Sequence, residues 1–278
     1  MKIAVIGKNG QLASCLKEVA PTSLKINIYG SDEVDITRSD TYEPLASSNL
    51  IINCSAYTAV DKAEEFPEDA FAVNRRGVIQ LVAFCEQHHI KLIHFSTDFV
   101  FSGERSIPYK EEDFTGPESV YGASKLAGEE VILQSSLSAL VIRTSWLYSP
   151  YGHNFCKTML RLGSERSELS VVADQIGAPT SALDLARAVF EIIIKGLPKT
   201  PELLHISNMG QCSWADFARE IFRQKYLSVT VNDITTEAFK APAKRPKYSV
   251  MATEKLLFRY GIATRSWKEA LSEVLKRL

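Results

Sequence analysis

The chain has 278 residues, 45% of them hydrophobic and 23% charged, with a formal net charge of −1. That length allows one large core or two unequal lobes, and a charge near zero argues against nucleic acid or an anionic membrane as partner. No apolar run approaches the roughly 20 residues of a membrane span, and the apolar run in the opening MKIAVIGKNG is too short for a secretory leader.

The five cysteines, Cys15, Cys54, Cys85, Cys156 and Cys212, are scattered and never spaced as a pair. They read as free thiols of a cytoplasmic protein, and histidines without ligand spacing give no reason to expect a metal site.

The run KIAVIG ends at Gly7, and a helix is expected over Gln11–Val19. Gly7, Gly10 and Ala13 form a G-x-x-G-x-x-A pattern between a strand and a helix. One glycine permits the tight turn, the next lets backbone approach a pyrophosphate, and the small third residue lets helix and strand pack closely. A dinucleotide site is therefore expected at the head of the chain. The second apolar run, KINIYGSD, brings Ser31, Asp32 and Asp35 to where a ribose-binding acid belongs, about 20 residues on. No base stands beside them, since Lys25 lies inside the strand and Arg38 after the turn. That favours NADH slightly, or use of both NADH and NADPH.

A third strand, NLIINCSA, leads to an acidic helical segment and then to one long periodic helix, PEDAFAVNRRGVIQLVAFCEQHH, ending near His88 and His89. Next come the strand IKLIHFSTDFVF, a helix in SVYGASKLAGEEV and the strand SALVIRTSWLY. Beyond Trp146 the rhythm changes to a loop and helix (SPYGHNFCKTMLRLG), a strand, proline-bearing turn and helix (LSVVADQIGAPTSALDLARAVFEIIIKG) and a buried strand (LLHIS). A helix over Trp214–Gln224, a proline-rich loop (APAKRPKYS) and an amphipathic helix close the chain. Short apolar strands alternating with helices imply an α/β fold with a doubly wound, Rossmann-type parallel sheet. The expected division is a dinucleotide-binding domain over 1–150 plus about 178–208, and a smaller mixed lobe over about 151–177 plus 209–278.

In such a sheet, ligands bind beyond the carboxyl ends of the strands. Ser96, Thr97 and Asp98 end one strand, and Thr144, Ser145 and Trp146 end another. Tyr121 and Lys125, four apart, share one helix face. A hydride delivered to a ketone leaves an alkoxide that needs a proton. A phenol of pKa about 10 serves at neutral pH once a cation such as Lys125 favours its phenolate. Thr97 is expected to donate a hydrogen bond to the same carbonyl oxygen.

These stretches, with AYTAVDKAE, RTSWLY, DQIGAPT and RPKYS, resemble the extended short-chain dehydrogenase/reductases, and within them the dTDP-4-dehydrorhamnose reductase family. The resemblance runs nearly the whole chain. It implies reduction of the C4 keto group of dTDP-4-dehydro-L-rhamnose by NADPH or NADH, giving dTDP-L-rhamnose. Carried over, Tyr121 is the proton donor, Lys125 its electrostatic partner and ribose ligand, and Thr97 the third catalytic residue. Gly7, Gly10, Gln11 and Leu12 would cradle the cofactor phosphates, with Asp35 and Ile36 near the adenine, and Ser55, Ala56, Tyr57 and Asn74 lining the cofactor. For the sugar nucleotide the resemblance implies Thr58, Val60, Thr97, Asp98, Phe99, Tyr121, Trp146 and Asn154. It also leaves room for a homodimer.

The chain departs from the family in carrying Ala13 for the third glycine, Phe99 where tyrosine is more usual, and Val250, Met251 and Ala252 after RPKYS. Two alternatives stay open. A related epimerase or 4,6-dehydratase is disfavoured because Phe99 stands where dehydratases usually place glutamate. A non-catalytic subunit similar to the regulatory subunit of methionine adenosyltransferase is disfavoured by the intact Thr97, Tyr121 and Lys125.

Overall fold

A computed structural model describes residues 1–278. Strand β1 (Lys2–Ile6) turns through Gly7 into α1 (Gln11–Val19) and returns as β2 (Lys25–Tyr29); β3 (Leu50–Asn53) follows. Helices α2 (Val60–Glu65), α3 (Pro67–Phe71) and α4 (Gly77–His88) then lead to β4 (Lys91–Thr97), α5 (Val120–Leu133) and β5 (Ala139–Thr144). The second half supplies β6 (Leu147–Tyr148), α6 (Phe155–Glu165), β7 (Glu168–Val172), β8 (Ile176–Gly177), β9 (Thr180–Ser181), α7 (Ala182–Lys195) and β10 (Glu202–His205). It ends with β11 (Cys212–Ser213), α8 (Trp214–Gln224), β12 (Thr230–Ile234), α9 (Thr236–Phe239), α10 (Glu254–Tyr260) and α11 (Trp267–Leu275).

Six strands form one parallel sheet in the order β10-β5-β4-β3-β1-β2. Its middle strands β3 and β5 are buried at every position, as strands covered on both faces must be, whereas the edge strand β2 is only partly covered. Alternate residues serve alternate faces. Ile3, Val5, Ile52, Ile93 and Ile142 join a core with α1, α7, α8 and α11, while Ala4, Ile6, Ile51, Leu92 and Val141 face α4 and α5. The first core runs from Ile3 to Leu275, so one apolar interior takes in residues of both halves of the chain. Short pairs β6–β9, β7–β12 and β8–β11 lie outside this sheet, while β10 returns to it beside β5.

The long helix expected over Pro67–His88 is not regular. Ala72–Arg76 is wound as a π-helix between α3 and α4, an arrangement often found at functional sites. The insertion turns Asn74 inward, and Gly128 of α5 packs on the Asn74 carbonyl where a Cβ would collide with it. Helix α4 ends on His89, whose left-handed φ of 54° places its N–H on the Glu86 and Cys85 carbonyls.

Candidate active site

At the carboxyl edge of the sheet, Gly7 has φ +106°, and a Cβ there would stand 3.0 Å from the Cys54 carbonyl carbon and the Ser55 nitrogen. Glycine is required by both the turn and the close approach. The Gly10 N–H closes the turn on the Gly7 carbonyl at 2.9 Å, and no side chain caps α1. The first amides of that helix remain available to an anion. Gly7, Gly10, Asp35, Ile36, Ser55 and Ala56 line a cavity of about 300 Å³ at this turn.

Asp35 is held within its own loop, accepting the Thr37 amide and hydroxyl at 2.8 Å each. A base does stand here, contrary to the sequence expectation. Lys8, from the glycine turn itself, lines the cavity and reaches Glu33 at 3.3 Å. Lys8 is distant from Asp35 in sequence and reaches its cavity from the turn that follows β1.

A second cavity, of about 670 Å³, continues past the ends of β4 and β5. Gln11, Leu12, Ala56, Thr58, Val60, Thr97, Asp98, Phe99, Tyr121, Lys125 and Trp146 all line it, which brings most of the predicted residues together. Two predicted residues are occupied elsewhere. Asn74 accepts the Tyr57 amide at 2.9 Å and donates to the Tyr57 carbonyl and Ser124 Oγ, leaving no amide group free. It therefore ties the loop after β3 to α5, and neither Asn74 nor Tyr57 lines either cavity. Asn154 caps α6 through the Lys157 amide at 3.1 Å and donates to the Ser149 carbonyl at 2.9 Å; its neighbours His153 and Phe155 face the cavity instead. Gln11 likewise spends its side chain on the Leu147 carbonyl and Ser149 hydroxyl. Its contribution to a phosphate would be its backbone.

Helix α5 starts where Ser119 Oγ accepts the Gly122 amide at 3.1 Å, and its first turn carries Tyr121 into the cavity. Burial pushes the phenol up to about 12, with the Thr97 hydroxyl beside it pulling in the other direction. Burial brings Lys125 down to about 8. This reverses one expectation: burial rather than a cation sets the phenol here, and Lys125 Nζ lies 3.3 Å from His94 Nε2 on β4. The Thr97 hydroxyl donates to Asp98 at 3.1 Å while accepting the Phe99 amide. Asp98 in turn accepts Ser249 Oγ at 2.5 Å, which joins the site to the C-terminal lobe. Burial raises the Asp98 carboxyl to about 6 against these hydrogen bonds.

The aromatic wall has two parts. Phe99 meets Tyr121 edge-on at 5.6 Å, and Trp146 stacks on Trp214 at 3.5 Å and 6°. Trp146 takes a left-handed φ of 46°, uncommon for a bulky residue, and its indole presses on Gly177 where any side chain would collide. Arg245, held at 2.8 Å by Asp61, closes the far side. Trp214, Arg245 and Ser249 come from the C-terminal lobe, and the sequence carried no period that placed them here. His94 and Asn53 had a signal: His94 interrupts the apolar run Leu92–Phe95 and Asn53 ends the apolar run Leu50–Ile52, both in buried strands.

A glycine turn at the head of a parallel sheet, with a tyrosine and lysine one helical turn apart across the cavity, defines an extended short-chain dehydrogenase/reductase. The family model described as RmlD substrate binding domain matches residues 1–278, and the chain belongs to that family. It is 43% identical over 282 residues to a dTDP-4-dehydrorhamnose reductase of Sinorhizobium fredii, covering 97% of this chain and 95% of the relative. A dTDP-4-dehydrorhamnose reductase of Clostridium acetobutylicum superposes with a TM-score of 0.93 at 40% identity, over 99% of both chains. One from Bacillus anthracis, solved in complex with NADP, does so with 0.95 at 37% identity, over 100% of this chain and 99% of that one.

Proposed function

We propose that the protein reduces the C4 keto group of dTDP-4-dehydro-L-rhamnose with NADPH or NADH, giving dTDP-L-rhamnose. The observation that carries this is the single cavity in which Thr97, Tyr121 and Lys125 meet beside the glycine turn, in a chain whose relatives bear that enzyme name along their whole length. The residues fit a nicotinamide dinucleotide. The turn at Gly7 has room only for backbone, the start of α1 is uncapped, and the buried hydroxyls of Ser96 and Thr144 lack partners at the cavity wall. Gly7, Gly10 and Leu12 would hold the phosphates, and Asp35, Ile36, Ser55 and Ala56 the adenosine side. When bound, the cofactor supplies the hydride.

The chain's own groups manage the proton. Tyr121 Oη protonates the oxygen that becomes the C4 hydroxyl, and its phenolate then regains a proton from solvent. A phenol raised to about 12 stays protonated at neutral pH, as a donor must. The energetic demand falls on stabilising the phenolate once the proton has left, which is the work of Lys125. Thr97 orients the phenol, and Asp98 fixes Thr97. Phe99 and Trp146 offer apolar faces to the sugar ring, with Thr58 and Val60 beside them.

The engagement of Asp98 by both Thr97 and Ser249 speaks against a dehydratase, which needs a free carboxylate to move a proton on carbon. No helix is long and apolar enough to cross a membrane, and the five thiols are unpaired; we place the enzyme in the cytoplasm. The test is oxidation of NADPH and of NADH, followed by absorbance, with dTDP-4-dehydrorhamnose generated in place by a 3,5-epimerase. Turnover that requires the keto sugar supports the reading. Cofactor binding without turnover would replace it with the non-catalytic one.

A further inference from the structure

A polar chain runs beneath the site from the cofactor-side loop to the catalytic lysine. Asn53 and His94 are register partners on β3 and β4, on the sheet face covered by α5, and both are 1% exposed. Asn53 Oδ1 accepts the Ser55 amide at 3.1 Å and the Ser55 hydroxyl at 2.5 Å. A backbone N–H can only donate, so the amide orientation of Asn53 is determined and its Nδ2 must face the ring. That Nδ2 lies 3.0 Å from His94 Nδ1. Nδ2 can only donate, so Nδ1 must accept, and a neutral imidazole then carries its proton on Nε2. The ring is held neutral, because burial and the nearby Lys125 push its pKa well below the ordinary value. Nε2 lies 3.3 Å from Lys125 Nζ. An Nε2–H can donate to a free amine, but against an ammonium it sets donor against donor.

We infer that Asn53 and His94 are positioning residues that act as a tautomer lock: they keep the ring proton on Nε2, so the resting site accommodates the free amine of Lys125, and the lysine takes up a proton as Nζ leaves the ring for the cofactor ribose. The ribose contact rests on the function proposed above, whereas the lock does not. Burial lowers the proton affinity of Lys125 in the same direction. The other charged groups near Lys125 are already committed. On its own helix, Glu129 is bound by the Arg143 fork from β5 at 2.6–3.1 Å and favours the ammonium only as part of that pair. Tyr121 is neutral, and Asp98, past the end of β4, is taken by Thr97 and Ser249. The arrangement links cofactor arrival, through Ser55 and Lys125, to the charge that the phenolate needs.

Two readouts test this. In cofactor-free protein labelled with ¹⁵N-histidine, the His94 signal, assigned by its loss in His94→Gln, should report a protonated Nε2 and a bare Nδ1. In Asn53→Asp, a carboxylate accepts from Nδ1–H, so the proton should move to Nδ1. Calorimetry of NADPH binding near pH 8, in buffers of different ionisation enthalpy, should show uptake of about half a proton per site in the wild type and almost none in Asn53→Asp. A wild-type ring protonated on Nδ1, or equal uptake in both proteins, overturns the lock. If Asn53→Asp does not fold, the wild-type spectrum decides alone. If NADPH gives no heat, the cofactor reading fails while the spectrum still judges the lock.

Discussion

Replacing Lys125 with methionine should make the protein more stable and nearly inactive. Lys125 is 2% exposed, and burial lowers its pKa from 10.5 to about 8. At about 1.4 kcal/mol per tenfold change in proton affinity, holding an ammonium there costs the folded state about 3 kcal/mol at pH 7. The sign follows from linkage. The depressed value means that the unfolded chain binds the proton more tightly, so the penalty is fully present below about pH 8 and disappears as pH rises to the unfolded value. Methionine fills a similar volume without the charge, and imperfect repacking around the exchanged side chain returns about 1 kcal/mol of the gain. The net expectation is about 2 kcal/mol, or a rise of several degrees in Tm at pH 7 for a chain of this length. Chemical denaturation of both proteins across pH 6–11 measures it, with the difference shrinking to nothing, or reversing slightly, at the alkaline end. A variant less stable than wild type at pH 7, or a pH-independent difference, would refute the burial argument.

Tyr121→Phe should lower kcat by about 10²–10⁴-fold while NADPH binding and Tm stay near wild type, because the ring's contact with Phe99 survives; near-normal turnover would remove Tyr121 as the donor. Lys8→Ala should raise KM for NADPH more than for NADH, since Lys8 is a cation on the adenosine-side cavity, and equal effects would deny it a role at the 2′ position. Ser249→Ala deletes a hydrogen bond that holds the Asp98 carboxyl down, so Asp98 should titrate above its present value of about 6. Any acidic limb of the pH–rate profile that reflects Asp98 should then move to higher pH, and an unchanged profile would separate Asp98 from the rate.

Much of the fold was legible because its signals are local. KIAVIG, LIIN, KLIHFS and ALVIRT are apolar enough to require burial on both faces, and they became the middle of the sheet. The alternation with helices then implied parallel pairing. Tyr121 and Lys125 were legible because helical spacing fixes which side chains share a face. What the spacing could not give was competition for those side chains. Asn154 and Asn74 carry groups that suit a ligand, yet a helix start and a π-helical insertion claim them first. The direction of the Tyr121 shift was missed for a related reason. Proximity to a cation was inferred from sequence, whereas the desolvation that sets the shift depends on how α5 packs on the sheet. Trp214, Arg245 and Ser249 reach the site from beyond residue 200 through tertiary contacts alone.

The proposed reaction is a net hydride transfer to the C4 carbon of a dTDP-linked keto sugar. Its most direct test is a reaction with NADPH deuterated on the transferred position, followed by NMR of the sugar product. The expected product is dTDP-L-rhamnose carrying deuterium at C4, one equivalent per NADPH oxidised, with none formed by Tyr121→Phe on the same time scale. Unlabelled product, or interconversion of sugars without consumption of NADPH, would contradict it and point to an enzyme that recycles its hydride internally.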